Sequence, residues 1–107
     1  MSGEAGGEPP PGSASGGTVL TRAVVICNRR GLHARAAAKF VSVAERFDAA
    51  VEVVKDGTAV PARSIMGLMM LGAGRGSALE LRAEGWDAKE ALDALAQLVE
   101  AGFDEQD

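Results

Sequence analysis

From Thr18 onward the chain switches between two hydrophobic periods. The run TVLTRAVVIC is dense in β-branched residues and predicts a strand, with Val24 and Ile26 on its core face. Asn28, Arg29, Arg30 and Gly31 interrupt it. Ala37, Phe40, Val41 and Ala44 then recur at i, i+3, i+4 and i+7, with Phe47 beyond, which predicts an amphipathic helix over about residues 33–46. Val51 and Val53 alternate with Glu52 in a second strand. Asp56-Gly57 is a type I′ hairpin signal, and it leads into a short third strand, TAV, that stops at Pro61. Ser64 is a good N-cap for the apolar stretch IMGLMML, short enough for a two-turn helix. Gly72, Gly74 and Gly76 mark a loop. Ala78 to Ala83 forms a fourth strand, Leu79 and Leu81 inward and Glu80 and Arg82 outward, broken by Gly85. Asp87 is the expected cap of a last helix, whose stripe is Ala88, Ala91, Leu92, Leu95, Leu98 and Val99.

The predicted order is therefore β-α-β-β-α-β-α. The tight hairpin makes strands two and three antiparallel. Each strand has one apolar face and each helix one apolar stripe. The economical arrangement is a two-layer, open-faced α+β sandwich: a four-stranded antiparallel sheet with three helices on one face.

A length of 107 residues allows one domain. Residues 1–17, MSGEAGGEPPPGSASGG, hold six of the 14 glycines and three of the four prolines and show no apolar period. They are expected to be a disordered tail ahead of a domain over 18–107. Aromatic residues are only 4%, so the core must come mainly from Ala, Val, Leu, Ile and Met. No apolar run approaches the roughly 18–20 residues of a spanning helix, so no membrane insertion is expected. The start of the chain lacks a positive region followed by an apolar stretch, so no secretory signal is expected either. The one cysteine, Cys27, cannot close an internal disulfide, which fits a reducing cytoplasm. Cys27 is expected to be buried or half-buried, and Trp86 to be a packing residue. One histidine and one cysteine do not build a closed zinc site, so no metal is expected.

The net charge of −4 hides an asymmetry. Residues 1–17 carry −2, residues 18–47 carry +5 and residues 48–107 carry −7. The bases Arg22, Arg29, Arg30, Arg35, Lys39 and Arg46 gather around His33, the only histidine. That favours an anionic ligand or acidic partner there, although a solvated helix face has the same signature.

Gly31-Leu32-His33-Ala34-Arg35 puts His33 at the first turn of a helix. Free backbone N–H groups and the positive helix end converge there and favour a phosphate. Gly31 permits close backbone approach, and Arg35 adds a planar, permanent charge. A neutral imidazole is a competent nucleophile toward phosphorus, so His33 could hold a phosphoryl group as a phosphoramidate. No Ser-His-Asp or Cys-His-Asn constellation is identifiable, and GAGRGS lacks the Gly-Lys-Ser/Thr ending of a Walker loop. A capping histidine beside a surface arginine accounts for the same spacing.

GLHARAAAKFV, followed by ARSIMGLMMLGAGRGS, resembles the histidine-containing phosphocarrier (HPr) family of the bacterial phosphotransferase system, over about Val19 to Val99. The resemblance implies an HPr-like sandwich and a cytoplasmic, monomeric phosphoryl carrier that is not an enzyme and needs no cofactor. Enzyme I would phosphorylate His33 on Nδ1, with Arg35 as charge partner, and His33 would serve an EIIA-type domain. Both the sugar-uptake branch and the variant linked to nitrogen metabolism are compatible with it. The family motif usually reads GLHARPA, and this chain has Ala36 at the proline position. Proline is tolerated in a first helical turn, so its loss need not break the helix. The resemblance also makes Ser64 a regulatory site for an HPr kinase/phosphorylase. Ile65, Met66 and Met69 become partner-docking residues, while Leu68 looks inward. A plain N-cap serine and an all-core methionine cluster are the bland counterparts. A regulatory adaptor, binding targets according to its phosphorylation state, would use the same Met-rich surface. A nucleic-acid binder using Arg29, Arg30, Arg35 and Lys39 is disfavoured, because the rest of the chain is acidic and offers no stacking platform.

Overall fold

Period-two alternation builds the sheet, and 3.6-residue stripes lay the helices on it. In the computed structural model, which describes residues 18–105, the strands are β1 (Leu20–Val25), β2 (Ala50–Lys55), β3 (Thr58–Pro61) and β4 (Ala78–Glu84). The helices are α1 (Ala34–Ala44), α2 (Ile65–Met70) and α3 (Ala88–Glu100), followed by a 3₁₀ turn at Gly102–Asp104. The expected tail, residues 1–17, lies outside the described residues, as do 106 and 107.

The strands are antiparallel throughout, in the order β1-β4-β2-β3. Val24 pairs with Leu79, and Val53 with Leu81, so the inward residues of neighbouring strands fall in register. Ile26, Val51 and Ala83 complete that face, and Phe40, Leu68, Leu95 and Val99 close over it from the helices. Glu52, Glu80 and Arg82 lie on the other face. Asp56 and Gly57 have φ of 50° and 83°, the positive pair that a type I′ turn demands. The order β-α-β-β-α-β-α and the open-faced sandwich are as the patterning predicts. Among the described residues no helix is long and apolar enough to cross a membrane.

Local expectations differ at three places. Asp87 sits at the start of α3, yet its side chain makes no cap bond. Its buried carboxylate instead accepts from the backbone N–H groups of Asp48 and Ala49, at 2.9 Å each. Trp86 does not pack: it is 73% exposed and its indole N–H donates to Asp48 Oδ2 at 2.9 Å. The cause is Gly85, whose backbone lies so close to Ala49 that an added Cβ would be 2.8 Å from Ala49 Cα. Asp48, whose backbone N–H the Asp87 carboxylate holds, offers the indole its acceptor at the surface. Cys27 is exposed rather than buried, because strand alternation continues past β1 with Ile26 and Asn28 inward. Its Sγ lies 3.4 Å from Val99 O and 3.5 Å from Glu100 O at the end of α3.

Candidate functional site

The chain between β1 and α1 is pinned by backbone bonds. Gly31 N–H donates to Asn28 O at 3.2 Å, and Leu32 N–H donates to Ala73 O at 2.9 Å. Gly31 has φ of 69°, and a Cβ there would come within 2.6 Å of Ala73 O. Glycine is therefore required twice over, by conformation and by the closeness of the Ala73 loop.

This support delivers His33 to the N-cap of α1, with extended backbone (φ −77°, ψ 179°). Its carbonyl starts the helix by accepting from Ala37 N–H at 2.8 Å. Its side chain makes no cap bond, so the imidazole is not consumed by the helix end. The N–H groups of Ala34, Arg35 and Ala36 belong to the first turn, which has no intrahelical acceptors. No acidic side chain occupies that turn, so the positive end of the helix dipole is unneutralised from within α1. Arg35 is exposed beside it and has no hydrogen bond or ion pair among the described residues.

Four further residues complete the site: Asn28, which the sequence marks only as a strand breaker, Lys39, counted among the bases near His33, and Phe103 and Glu105, which carry no sequence signal of their own. Glu105 Oε2 is hydrogen-bonded to His33 Nε2, and Glu105 Oε1 accepts from Asn28 Nδ2 at 2.9 Å. The His33 ring, and after it the Asn28 amide, hold the Glu105 carboxyl below its ordinary value, with Arg30 contributing at longer range. An ionised carboxylate only accepts, so His33 Nε2 carries the hydrogen of this bond. Asn28 is buried and its Nδ2 also donates to Gly31 O at 2.9 Å. Lys39 Nζ donates to Phe103 O at 2.7 Å, so this base holds the C-terminal turn instead of adding to a free positive surface. Phe103 is fully buried. The one legible hint was Gly102, a stop signal just past α3.

Ser64 lies at the N-cap of α2, and its Oγ accepts from Gly67 N–H at 2.9 Å. α1 packs on α2, so His33 and Ser64 stand at the starts of two neighbouring helices. Leu68 is buried, whereas Ile65, Met66 and Met69 are exposed, as is Met70 at 80%. Six residues of helix cannot bury apolar groups on every side, so the surplus faces solvent. Among the described residues no cluster of His, Cys, Asp and Glu could hold a metal ion.

Fold and site together define an open-faced α+β sandwich that presents one histidine, its ring not used as a cap, at a helix start. A family model described as the phosphorylation site of the phosphotransferase HPr component matches residues 20–101. Phosphocarrier protein NPr of Shewanella violacea is 48% identical over 88 residues, covering 82% of this chain and 97% of that protein. Phosphocarrier protein HPr of Cupriavidus necator is 46% identical over 87 residues, covering 81% and 98% respectively. The solved HPr from Thermoanaerobacter tengcongensis superposes with a TM-score of 0.78 at 45% identity, covering 81% of this chain and 98% of that one. The chain belongs to the HPr family and is a phosphoryl carrier of the phosphotransferase system, not a catalyst.

Proposed function

We propose that His33 takes a phosphoryl group from phosphorylated enzyme I on ring atom Nδ1 and gives it to an EIIA-type domain. The observation that carries this reading is His33 itself: an N-cap residue whose ring does not cap, beside first-turn amides and an uncommitted Arg35. With Nε2 engaged by Glu105, Nδ1 is the nitrogen left to attack phosphorus. The first-turn amides and the dipole would take the phosphoryl oxygens, and Arg35 the remaining charge. Ala36, in place of the family's proline, adds one more N–H to that set. The carrier works in the cytoplasm as a monomer and calls for no cofactor of its own.

Ser64 is proposed as the regulatory site, and Ile65, Met66 and Met69 as docking residues. Their exposure beside α1 supports this, since an adaptable Met-rich surface suits a protein that must meet several partners in turn. The test is purified enzyme I with phosphoenolpyruvate and this protein, followed by intact mass at neutral and acidic pH. One acid-labile phosphoryl group is expected on the parent and none on His33→Ala. An acid-labile phosphate on the His33→Ala protein rejects the assignment.

A further inference from the structure

The C-terminal turn is built in a way that packing alone does not require. Gly102, Phe103 and Asp104 follow α3 with φ of 65°, 57° and 61°, three successive residues in the left-handed region. Two of them are not glycine, and such a run persists only where its surroundings over-determine it. Here Phe103 is buried in the core, and Lys39 from α1 ties its carbonyl at 2.7 Å. The next residue is Glu105, and the turn delivers its carboxylate to His33 Nε2 and the buried Asn28 amide. Asn28 holds its own orientation by donating to Gly31 O as well, at 2.9 Å. The pair is sheltered, with side chains only 17% and 14% exposed for His33 and Glu105. An adventitious surface ion pair would have neither the anchored turn nor the buried amide behind it.

We propose that Glu105 is a positioning residue for phosphoryl transfer, fixing His33 in the tautomer with hydrogen on Nε2 and a free electron pair on Nδ1. The inference rests on the reading of His33 as phosphoryl acceptor. A ring nitrogen carrying hydrogen has no lone pair to offer, so the wrong tautomer does not react. In the step itself the Nδ1 lone pair forms the new bond to phosphorus. The bond between phosphorus and the donor's atom breaks, and its electron pair leaves with the donor. No proton is lost from Nδ1, because none was there. The Nε2 hydrogen stays between ring and carboxylate, and the positive charge that the phosphorylated ring gains is set against Glu105. Orienting a histidine through a carboxylate on its far nitrogen is the same device that fixes metal-bound and catalytic imidazoles.

The experiment uses the full chain with ¹⁵N-labelled histidine and the variants Glu105→Ala and Glu105→Gln. The imidazole nitrogen shifts at mildly alkaline pH report the tautomer. Single-turnover acceptance from phosphorylated enzyme I reports the rate at saturation and the half-saturating concentration. The parent is expected to show the Nε2-hydrogen form nearly alone. Glu105→Ala should give a mixture of tautomers and a saturating rate about tenfold lower, within the range found when such supporting carboxylates are removed. Its half-saturating concentration should be unchanged. Glu105→Gln keeps a carbonyl acceptor and should restore most of both. A slower rate with an unchanged tautomer overturns the inference, since Glu105 would then act only structurally. A shifted tautomer with an unchanged rate also overturns it, and leaves His33 as acceptor untouched. Acceptance by His33→Ala would instead remove the reading beneath it.

Discussion

A carboxylate that accepts hydrogen bonds from both an imidazole and a buried amide is held in its ionised form. For Glu105 those donors are His33 first and Asn28 second, and they lower its pKa from the ordinary 4.5. The sign follows directly. A group whose folded pKa is depressed contributes stability that is fully present above 4.5 and is lost as pH falls through the lowered folded value. The expected outcome is that the Glu105 side-chain carboxyl carbon, followed by ¹³C NMR, titrates below 4.5 in the parent and moves up toward it in His33→Ala. A parent midpoint at or above 4.5 would show that the contact does not exist in solution. Asp93 is the natural comparison. Lys89 and then Arg22 lower it from 3.8, but its side chain is 48% exposed. Added salt should therefore raise the Asp93 midpoint more than that of the sheltered Glu105.

Between elements, the decisive contacts join segments far apart in the chain. Asp87 reaches back to Asp48 and Ala49 at the entry to β2, and so ties the start of α3 to the turn before that strand. Removing the carboxylate leaves a buried Ala49 amide and its neighbour without acceptors. Asp87→Ala is expected to cost about 2–3 kcal/mol, the scale of losing a charged acceptor from buried donors. Urea denaturation checks it. Asp87→Ser, which would replace an ordinary cap, should recover only part, because serine is too short to reach across. A loss near 1 kcal/mol that serine restores would make Asp87 a plain N-cap after all. This contrast marks how far the sequence could be read. The strands, the α1 and α3 stripes, the Asp56-Gly57 hairpin and the Ser64 cap were legible because each is decided by residues within a turn or two of one another. The placement of His33 and Arg35 at one helix start was legible for the same reason, since they stand two positions apart. Asp87, Trp86 and Cys27 were misjudged because their surroundings come from Asp48, Ala49 and the end of α3. Glu105 was missed because it meets His33 across 72 residues, and no local period announces a carboxylate at the end of a left-handed turn.

At the scale of the whole molecule, the exposed Arg35 at the start of α1 and the exposed apolar residues of α2 lie on two helices packed together. The +5 of residues 18–47 includes the start of α1, while residues 48–107 carry −7. α2 packs against α1 and presents Ile65, Met66, Met69 and Met70 to solvent. A partner that suits this region pairs an apolar contact with an acidic surface facing Arg35 and its neighbours. Ser64 lies at the start of α2, beside the exposed apolar residues. Negative charge there would meet like charge on the acidic partner and disturb the contacts of Ile65 and Met66. The fold should not notice, because Ser64 serves α2 through one bond from Gly67 N–H, and aspartate caps as well as serine. Ser64→Asp is therefore expected to raise the concentration needed for half-maximal transfer from enzyme I roughly fivefold, about 1 kcal/mol of association. The saturating rate, the circular dichroism spectrum and the melting point should stay close to those of the parent. Phosphoserine should act more strongly, with about −1.5 to −2 charge and three acceptor oxygens against the single charge of aspartate. The comparison is made by varying the concentration of this protein against a fixed amount of phosphorylated enzyme I. An unchanged half-saturating concentration would place Ser64 outside the docking surface, and a loss that tracks unfolding would place its effect in the fold rather than in recognition.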